Sequence, residues 1–232
     1  MKKTYFISGI NTDSGKTIVT GMILKFLTEN NIKSTSLKIV QTGCENFSDD
    51  IILHRKISRK DFDSFDKEGI TSPYLFKFPA SPHLSAELEN RKIDISKIEN
   101  SLKILENNFD IVLVEGAGGL YVPLTRLILT IDFIKNNNLS LIFVSSSELG
   151  SINHTLMSLE LCKINKIEVK ALIYNRFPNK NEIISNDSFV FFENYISSNF
   201  PRCLLFDFPI IDINSYQTID FSKLFFIEKK LH

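Results

Sequence analysis

The chain has 232 residues, 43% of them hydrophobic, and its 27 basic and 27 acidic residues leave a formal net charge of zero. This composition excludes a disordered chain, and without a basic block nothing favours a nucleic-acid or anionic membrane partner. Three separated cysteines without zinc spacing, and no run near the roughly 20 apolar residues of a membrane span, predict a soluble, cytoplasmic protein.

Short apolar runs alternate with helical patterns along the chain. The runs predict β-strands at 4–9, 34–40, 109–116, 139–146, 169–175 and 203–209. Helices are expected at 17–27, 152–164, 182–199 and 221–230. Strands that are apolar on both faces and alternate with helices indicate a mostly parallel β-sheet with helices on both faces. We expect a single α/β domain over 1–232, in which the less regular stretch 41–108 forms an ordered excursion over one end of the sheet.

The first strand leads into its helix through GINTDSGKT, residues 9–17. Five residues separate Gly9 from Gly15-Lys16-Thr17, whereas the common phosphate loop has about four. Backbone N–H groups at a helix N-terminus bind phosphate oxygens, the lysine reaches the β- and γ-phosphates, and the threonine hydroxyl can bind Mg²⁺. The segment therefore predicts a phosphate loop for ATP, one residue longer than usual.

Charged residues follow the second and third strands. Lys38 lies inside an apolar strand, where its charge is costly unless it serves a negatively charged ligand or the lysine snorkels at an edge. Glu115 ends the most apolar strand and precedes Gly-Ala-Gly-Gly, so it is placed to hold Mg²⁺ beside the phosphate loop. Asp49 or Asp50 is either a third acidic group at Mg²⁺ or a helix cap.

Two later segments carry polar residues. Asn175 ends the fifth strand, where its side-chain amide could bind an adenine edge. In ELGSINHTL, residues 148–156, a loop leads into a helix, and His154 is interpreted as a structural hydrogen-bonding residue rather than a catalytic one.

Taken together, these motifs resemble a known family. The chain carries, in order, GINTDSGKT, LKIVQTG, TSPYLFKFPASPHLSAELE, VLVEGAGGLYVPLT, ELGSINHTL and YN. This set is similar to dethiobiotin synthase, a P-loop NTPase of biotin biosynthesis, and the similarity weakens after about residue 180. The resemblance implies a homodimeric ATP-dependent ligase that carboxylates 7,8-diaminopelargonic acid with CO₂ and closes a cyclic urea. The longer loop is a trait of that family.

The same resemblance implies roles for individual residues. Lys38 and Lys16 would be catalytic, and Thr17, Asp49 and Glu115 would hold Mg²⁺. The implied ATP-binding residues are Asp13, Ser14, Gly15, Lys16, Thr17, Ile18, Asp49, Glu115, Gly116, Ala117, Gly118, Asn175, Arg176, Pro209, Ile210 and Ile211. The implied substrate-binding residues are Thr12, Thr42, Gly118, Gly119, Gly150, Ser151 and Asn153, of which the last three would reach the substrate of a neighbouring subunit.

Some positions depart from the family pattern. Ile39 replaces the usual proline, Thr42 stands where serine is common, and Arg176 stands where an acidic residue occurs. Asp49 is preferred over Asp50 because Ser-Asp then falls in register with the apolar residues that follow.

Other classes of P-loop protein are alternatives. A switch ATPase of the partition type would carry a further lysine within residues 10–14, where none occurs, although the lysine-bearing segment 221–232 has a face suited to a membrane. A GTPase would carry Asn-Lys-x-Asp where this chain has NRFP, and a related amidoligase would add a glutaminase domain.

Overall fold

The computed structural model describes residues 3–212 and 218–225. The described elements are, in chain order, β1 (Lys3–Gly9), α1 (Lys16–Glu29), β2 (Ser34–Lys38), β3 (Gln41–Thr42), α2 (Asp49–Ser58), α3 (Ser64–Lys67), β4 (Leu75–Phe76), α4 (Pro82–Leu88), α5 (Ile95–Asn108), β5 (Ile111–Glu115), α6 (Thr130–Asn136), β6 (Ser140–Ser146), α7 (Ser151–Ile164), β7 (Val169–Asn175), α8 (Glu182–Asn199), β8 (Leu204–Phe208) and α9 (Ser222–Phe225).

Six strands form one sheet in the order β2-β5-β1-β6-β7-β8. Every described pair in it is parallel, so all six strands end at the same edge. In sheets of this kind ligands bind at the carboxyl ends of the strands. The loop that follows β1 therefore lies near the middle of the edge where a ligand is expected.

Helices cover both faces of the sheet, as the strand pattern predicts. One face packs against apolar residues of α5, α6, α7 and α8, for example Leu102, Phe133 and Leu159. The opposite face packs against α1, which contributes Ile23 and Leu27, and against α2 and α9. Strands buried between two helical layers need apolar side chains on both faces, which explains their continuous apolar runs.

The stretch 41–108 is ordered, but it does more than pass over one end of the sheet. β3 and β4 form a separate parallel pair at that end. The helix α2 packs against α1, and α5 returns to the sheet, where Ile98, Leu102 and Leu105 join the core. Side-chain oxygens of Ser48 and Asp94 accept backbone N–H groups where α2 and α5 begin, which fixes the helix starts.

The predicted strands and the helices at 17–27, 152–164 and 182–199 are confirmed to within two residues at each end. The sequence patterns did not identify α3, α4, α5 or α6, which are short or lie in the irregular stretch. Of the closing helix expected at 221–230, the structure has α9 at Ser222–Phe225, and 226–230 lie outside the described residues. Among the described residues, no helix is long and apolar enough to cross a membrane.

Candidate active site

Two cavities lie side by side at the carboxyl ends of the strands. They measure about 540 and 550 Å³, and both are lined by the phosphate-loop residues Thr12, Asp13, Lys16 and Thr17. The first extends towards β2 and β3, and we call it the substrate cavity. The second extends towards the ends of β7 and β8, and we call it the base cavity. The phosphate loop thus forms the wall that the two cavities share.

The phosphate loop is held by contacts among its own residues. Gly15 is the residue before α1 and has φ 93°, a left-handed conformation that glycine adopts without strain. Lys16 Nζ donates hydrogen bonds to the carbonyls of Asn11, at 2.7 Å, and Thr12, at 2.9 Å. Burial, and then the nearby charge of Lys38, lower the pKa of Lys16 to about 8.

The early glycine of the loop has a packing reason. A Cβ atom at Gly9 would lie 2.1 Å from Ser14 Oγ, because the buried Ser14 side chain folds back over Gly9. Its hydroxyl donates to the carbonyl of Asn11, at 3.2 Å. The five-residue spacing therefore encloses a serine that closes the loop on itself, which the sequence alone did not explain.

Glu115 is fully buried at the end of β5 and accepts four hydrogen bonds. Its Oε1 accepts from Thr17 Oγ1 and from Lys38 Nζ, each at 3.1 Å. Its Oε2 contacts Thr20 Oγ1 at 2.6 Å and His54 Nε2 at 3.0 Å. Burial would raise the pKa of this carboxyl, but Lys38 and His54 outweigh burial and hold it well below its usual range.

Lys38 lies at the base of the substrate cavity. Its ammonium group contacts Asp50 Oδ2 at 2.5 Å, Glu115 Oε1 at 3.1 Å and the Gly116 carbonyl at 3.0 Å. Burial opposes its charge, yet the carboxylates of Glu115 and Asp50 prevail and raise the pKa of Lys38. The lysine is a charged group inside the site, and the alternative of an edge lysine reaching for solvent is wrong.

Of the two aspartates at the start of α2, the structure brings Asp50 into the site. Asp50 lines the substrate cavity beside Lys38 and Glu115. Asp49 has an exposed side chain and lines neither cavity. The preference for Asp49 followed sequence register, whereas successive residues of a helix point in directions about 100° apart, which here favours Asp50.

The remaining walls of the substrate cavity come from the excursion and the glycine-rich loop after β5. Thr42 lines it, together with Val40, Gln41, Pro79, Ala80, Ser81, Pro82, Ala117, Gly118 and Val122. A Cβ at Gly118 would lie 3.8 Å from Thr12 Oγ1, and one at Gly119 would lie 3.2 Å from the Gly9 carbonyl. The glycine-rich loop therefore runs directly against the phosphate loop.

Asn175 lines the base cavity, but its side-chain amide bonds to backbone groups, and Arg176 does not line the cavity. The Asn175 amide donates to the Ser14 carbonyl, at 3.0 Å, and its carbonyl oxygen accepts from the Phe177 N–H, at 3.1 Å. Arg176 forms a two-bond ion pair with Asp207, at 2.6 and 2.8 Å, and lies outside the base cavity. Asn175 thus ties the phosphate loop to the end of β7.

Apolar residues form most of the far wall of the base cavity. Beyond Asn175 it is lined by Ile18, Phe177, Phe208, Ile210 and Ile211. The predicted residues Ile18, Ile210 and Ile211 are therefore at this cavity, while Pro209 is not among the lining residues. An apolar slot of this kind suits the flat face of a nucleotide base.

Gly150, Ser151 and Asn153 lie at the start of α7 and line neither cavity. Gly150 has φ 91° and precedes the helix, and Asn153 is exposed. Ser151 is buried, and its hydroxyl has no hydrogen-bond partner among the described residues. Their role towards a neighbouring subunit stays a prediction.

The sequence patterns missed two buried partners of Glu115, Thr20 and His54. Thr20 lies one turn after the phosphate loop, so the helical repeat after Lys16-Thr17 could have pointed to it. His54 lies on α2 within an apolar pattern, and no local signal connects it with the end of β5.

The chain is similar to known proteins over most of its length. A family model described as an AAA domain matches residues 3–211. The ATP-dependent dethiobiotin synthetase BioD 2 of Haemophilus ducreyi is 46% identical over 202 residues, covering 87% of this chain and 96% of that protein. The protein of the same name from Haemophilus influenzae is 49% identical over 178 residues, covering 77% of this chain and 93% of that protein.

A solved structure of a ParA family ATPase from Chlorobium tepidum has a TM-score of 0.53 and 16% identity, covering 97% of this chain and 88% of that chain. At that identity the similarity supports the fold alone. The sequence relatives are much closer and share nearly their whole length with this chain. The chain is therefore a P-loop α/β protein that belongs to the ATP-dependent dethiobiotin synthetase family.

Proposed function

We propose that this protein makes dethiobiotin from 7,8-diaminopelargonic acid, CO₂ and ATP. The observation that carries the proposal is the pair of cavities that share the phosphate loop, with Lys16 in the shared wall and Lys38 in the substrate cavity. A nucleotide whose base lies in the base cavity would direct its phosphates along the start of α1. Its terminal phosphate would then face the substrate cavity, where a second reactant can attack it.

The chemistry has three steps. One amine of the substrate attacks CO₂, so an N–C bond forms and a proton leaves to solvent. An oxygen of the resulting carbamate attacks the γ-phosphorus of ATP, so an O–P bond forms and ADP leaves. The second amine attacks the carbamate carbon, so a C–N bond forms, the amine loses its proton, and inorganic phosphate departs with the C–O electron pair.

The protein's task is to align two anions and neutralise their charge. Lys16, at the start of α1, would bind the terminal phosphates. Lys38 lines the substrate cavity and would neutralise the carbamate and the phosphoryl oxygens as they meet. Thr12, Thr42, Gly118 and Gly119 would position the carbamate, the two threonines through their hydroxyls and the glycines through the backbone.

The same site suits Mg²⁺. Thr17 and Glu115 offer a hydroxyl and a carboxylate, and an aspartate at the start of α2 completes the set, with Asp50 favoured by the geometry. Few protein oxygens together with phosphate oxygens are the donors that Mg²⁺ prefers. When bound there, the ion would offset the charge of the terminal phosphates. Among the described residues, no group of three or more His, Cys, Asp or Glu side chains forms a metal-binding cluster.

A homodimer in the cytoplasm completes the proposal. Leu149 and Met157, at and near the start of α7, are 90% and 60% exposed, so an apolar surface lies beside Gly150, Ser151 and Asn153. A second copy that covers this surface would bring those residues to its partner's substrate. Sedimentation at micromolar concentration tests this, and a single species with the mass of one chain would contradict it.

A coupled assay tests the activity itself. The protein is mixed with MgATP, bicarbonate and the diamine, and ADP and the organic product are measured. We expect ADP only when the diamine is present, together with a cyclic urea. ADP release at the same rate without diamine would overturn the proposal.

A further inference from the structure

A network of buried polar side chains, which we call the polar network, lies behind Glu115, on the side away from the cavities. It runs from Asp66 through Arg55 and Ser36 to His54, all of them buried. None of the four lines either cavity. We propose that His54 is a positioning residue: it holds Oε2 of Glu115 so that Oε1 alone faces the phosphate loop and Mg²⁺.

The two oxygens of Glu115 have separate sets of partners. Oε1 accepts from Thr17 and Lys38, both of which line the substrate cavity. Oε2 contacts Thr20 and His54, which are fully buried. Because Oε2 is fixed at two points, the carboxylate cannot rotate without breaking both contacts. Oε1 is therefore held in one direction before any ligand binds.

The donors and acceptors of the polar network can be assigned consistently from one end to the other. The Asp66 carboxylate can only accept hydrogen bonds, and it accepts one from Arg55 Nε at 2.9 Å and one from Arg55 Nη2 at 2.8 Å. Arg55 Nη1 donates to Ser36 Oγ at 3.0 Å. The Ser36 hydroxyl is then free to donate to His54 Nδ1, also at 3.0 Å, which leaves the ring proton on Nε2. In that tautomer His54 Nε2 donates to Glu115.

The arrangement also connects the site to the excursion. Asp66 accepts a hydrogen bond from the Thr71 hydroxyl. Asp63 and Asp66 also accept each other's backbone N–H groups at the start of α3, so the Asp66 end of the polar network is anchored in the irregular stretch. Arg55 and His54 are neighbours on α2, the helix that also carries Asp50. The fold of the excursion therefore fixes the direction of a group at the end of β5.

This inference rests on the proposed role of Glu115 towards Mg²⁺, and its test measures binding rather than turnover. ATP affinity is measured with Mg²⁺ and with EDTA, and the ratio gives the strengthening due to the ion. We expect His54→Leu to reduce this ratio by about tenfold or more, the usual effect of losing a partner that orients a metal ligand. Affinity in EDTA should change by less than about twofold, since no contact to the nucleotide is removed.

Two further variants separate positioning from general damage. His54→Gln keeps an amide N–H that can reach Glu115, and it should restore most of the Mg²⁺ effect. Ile57→Val removes a methylene from the same helix on the side that packs against α1, and it should lower thermal stability without changing the ratio. If His54→Leu matches Ile57→Val in the Mg²⁺ ratio, or His54→Gln fails to exceed His54→Leu, the positioning role is wrong.

Failure of the proposed reaction would give a different result. A wild-type protein that forms no cyclic urea, yet binds MgATP with the expected Mg²⁺ effect and loses that effect in His54→Leu, would contradict the proposed function while supporting the role of His54. A wild-type protein whose ATP binding shows no Mg²⁺ effect would overturn the inference.

Discussion

Asn175 lines the base cavity, and its side chain also supports the phosphate loop. Because its amide joins the Ser14 carbonyl to the Phe177 N–H, its loss leaves two backbone groups without partners. The bond to the Ser14 carbonyl is buried, and an unpaired buried group costs about 1–3 kcal/mol. We predict that Asn175→Ala weakens binding of ATP and GTP together, each by about tenfold or more, because the phosphate loop loses its support.

The nucleotide ratio distinguishes this role from base recognition. In equilibrium titrations of Asn175→Ala, the dissociation constant for GTP divided by that for ATP should lie within about twofold of the wild-type ratio. Asn175→Asp is the matched control, because its carboxylate can accept from the Phe177 N–H but cannot donate to the Ser14 carbonyl. It should bind both nucleotides at least as weakly as Asn175→Ala does. A variant that loses ATP affinity while keeping GTP affinity would restore Asn175 as a reader of adenine.

Asp49 and Asp50 offer a second test at the level of single residues. We predict that Asp50→Asn raises the Mg²⁺ concentration needed for half-maximal activity by about tenfold or more, while Asp49→Asn changes it by less than about twofold. Mg²⁺ titrations of the two variants measure this directly. The reverse order would show that the Ser-Asp register of the sequence, and not the position of Asp50 in the substrate cavity, identifies the metal-binding residue.

Lys16 gives a prediction about pH. Its lowered pKa of about 8 means that the free protein loses this charge as the pH rises through that value. Phosphate binding requires the charged form, so ATP must bind with uptake of a proton above pH 8. In EDTA, affinity should be constant near pH 7 and fall up to about tenfold per unit above the pKa. Lys16→Met should bind weakly at all these pH values, and a wild-type affinity independent of pH up to 9.5 would contradict the assignment.

At the scale of elements, the buried Arg55–Asp66 pair attaches α3 to α2 and β2. Burial disfavours the Asp66 charge, but Arg55 prevails and lowers the pKa of Asp66. Removing one partner of a buried ion pair costs about 3–5 kcal/mol. We predict a loss of that size in the free energy of unfolding for Asp66→Ala at neutral pH, measured by urea denaturation.

The pH dependence gives the sign of this contribution. Since the folded-state pKa of Asp66 lies below the unfolded one, its stabilisation is complete above the unfolded value of about 4 and is lost as the pH falls through the folded value. The difference in the free energy of unfolding between wild type and Asp66→Ala should therefore become smaller at acidic pH. Asp63→Ala, which removes only the cap of α3, should cost about 1 kcal/mol. Equal losses in the free energy of unfolding for Asp66→Ala and Asp63→Ala would contradict a larger contribution from the buried ion pair.

The sequence predicted some elements better than others for a physical reason. The strands were found because burial between two helical layers requires long apolar runs, and the phosphate loop was found because its glycines and lysine follow such a run. The excursion was not resolved into elements because α3 and α4 span only four and seven residues, too few for a helical pattern to stand out. His54 could not be found because its partner Glu115 is distant in sequence and only the tertiary fold brings them together.

At the scale of the whole molecule, the parallel sheet aligns the ends of β1, β2, β5 and β7 along one edge. The phosphate loop, Lys38, Glu115 and Asn175 lie at those ends, so one topology assembles both cavities. Sequence order alone predicted this convergence, since ligands bind where parallel strands end. It could not predict that the base-cavity wall is mainly apolar or that Arg176 pairs with Asp207, because both depend on how the end of β8 packs.

The fate of labelled bicarbonate tests the proposed reaction most directly. The protein is incubated with ¹³C-bicarbonate, MgATP and the diamine, and ADP, phosphate and the ¹³C content of the product are measured together. We predict that the label enters the carbonyl of a cyclic urea and that ADP and product form in equal amounts. Lys38→Ala should abolish both. ADP formation without incorporation of ¹³C would contradict the proposed reaction.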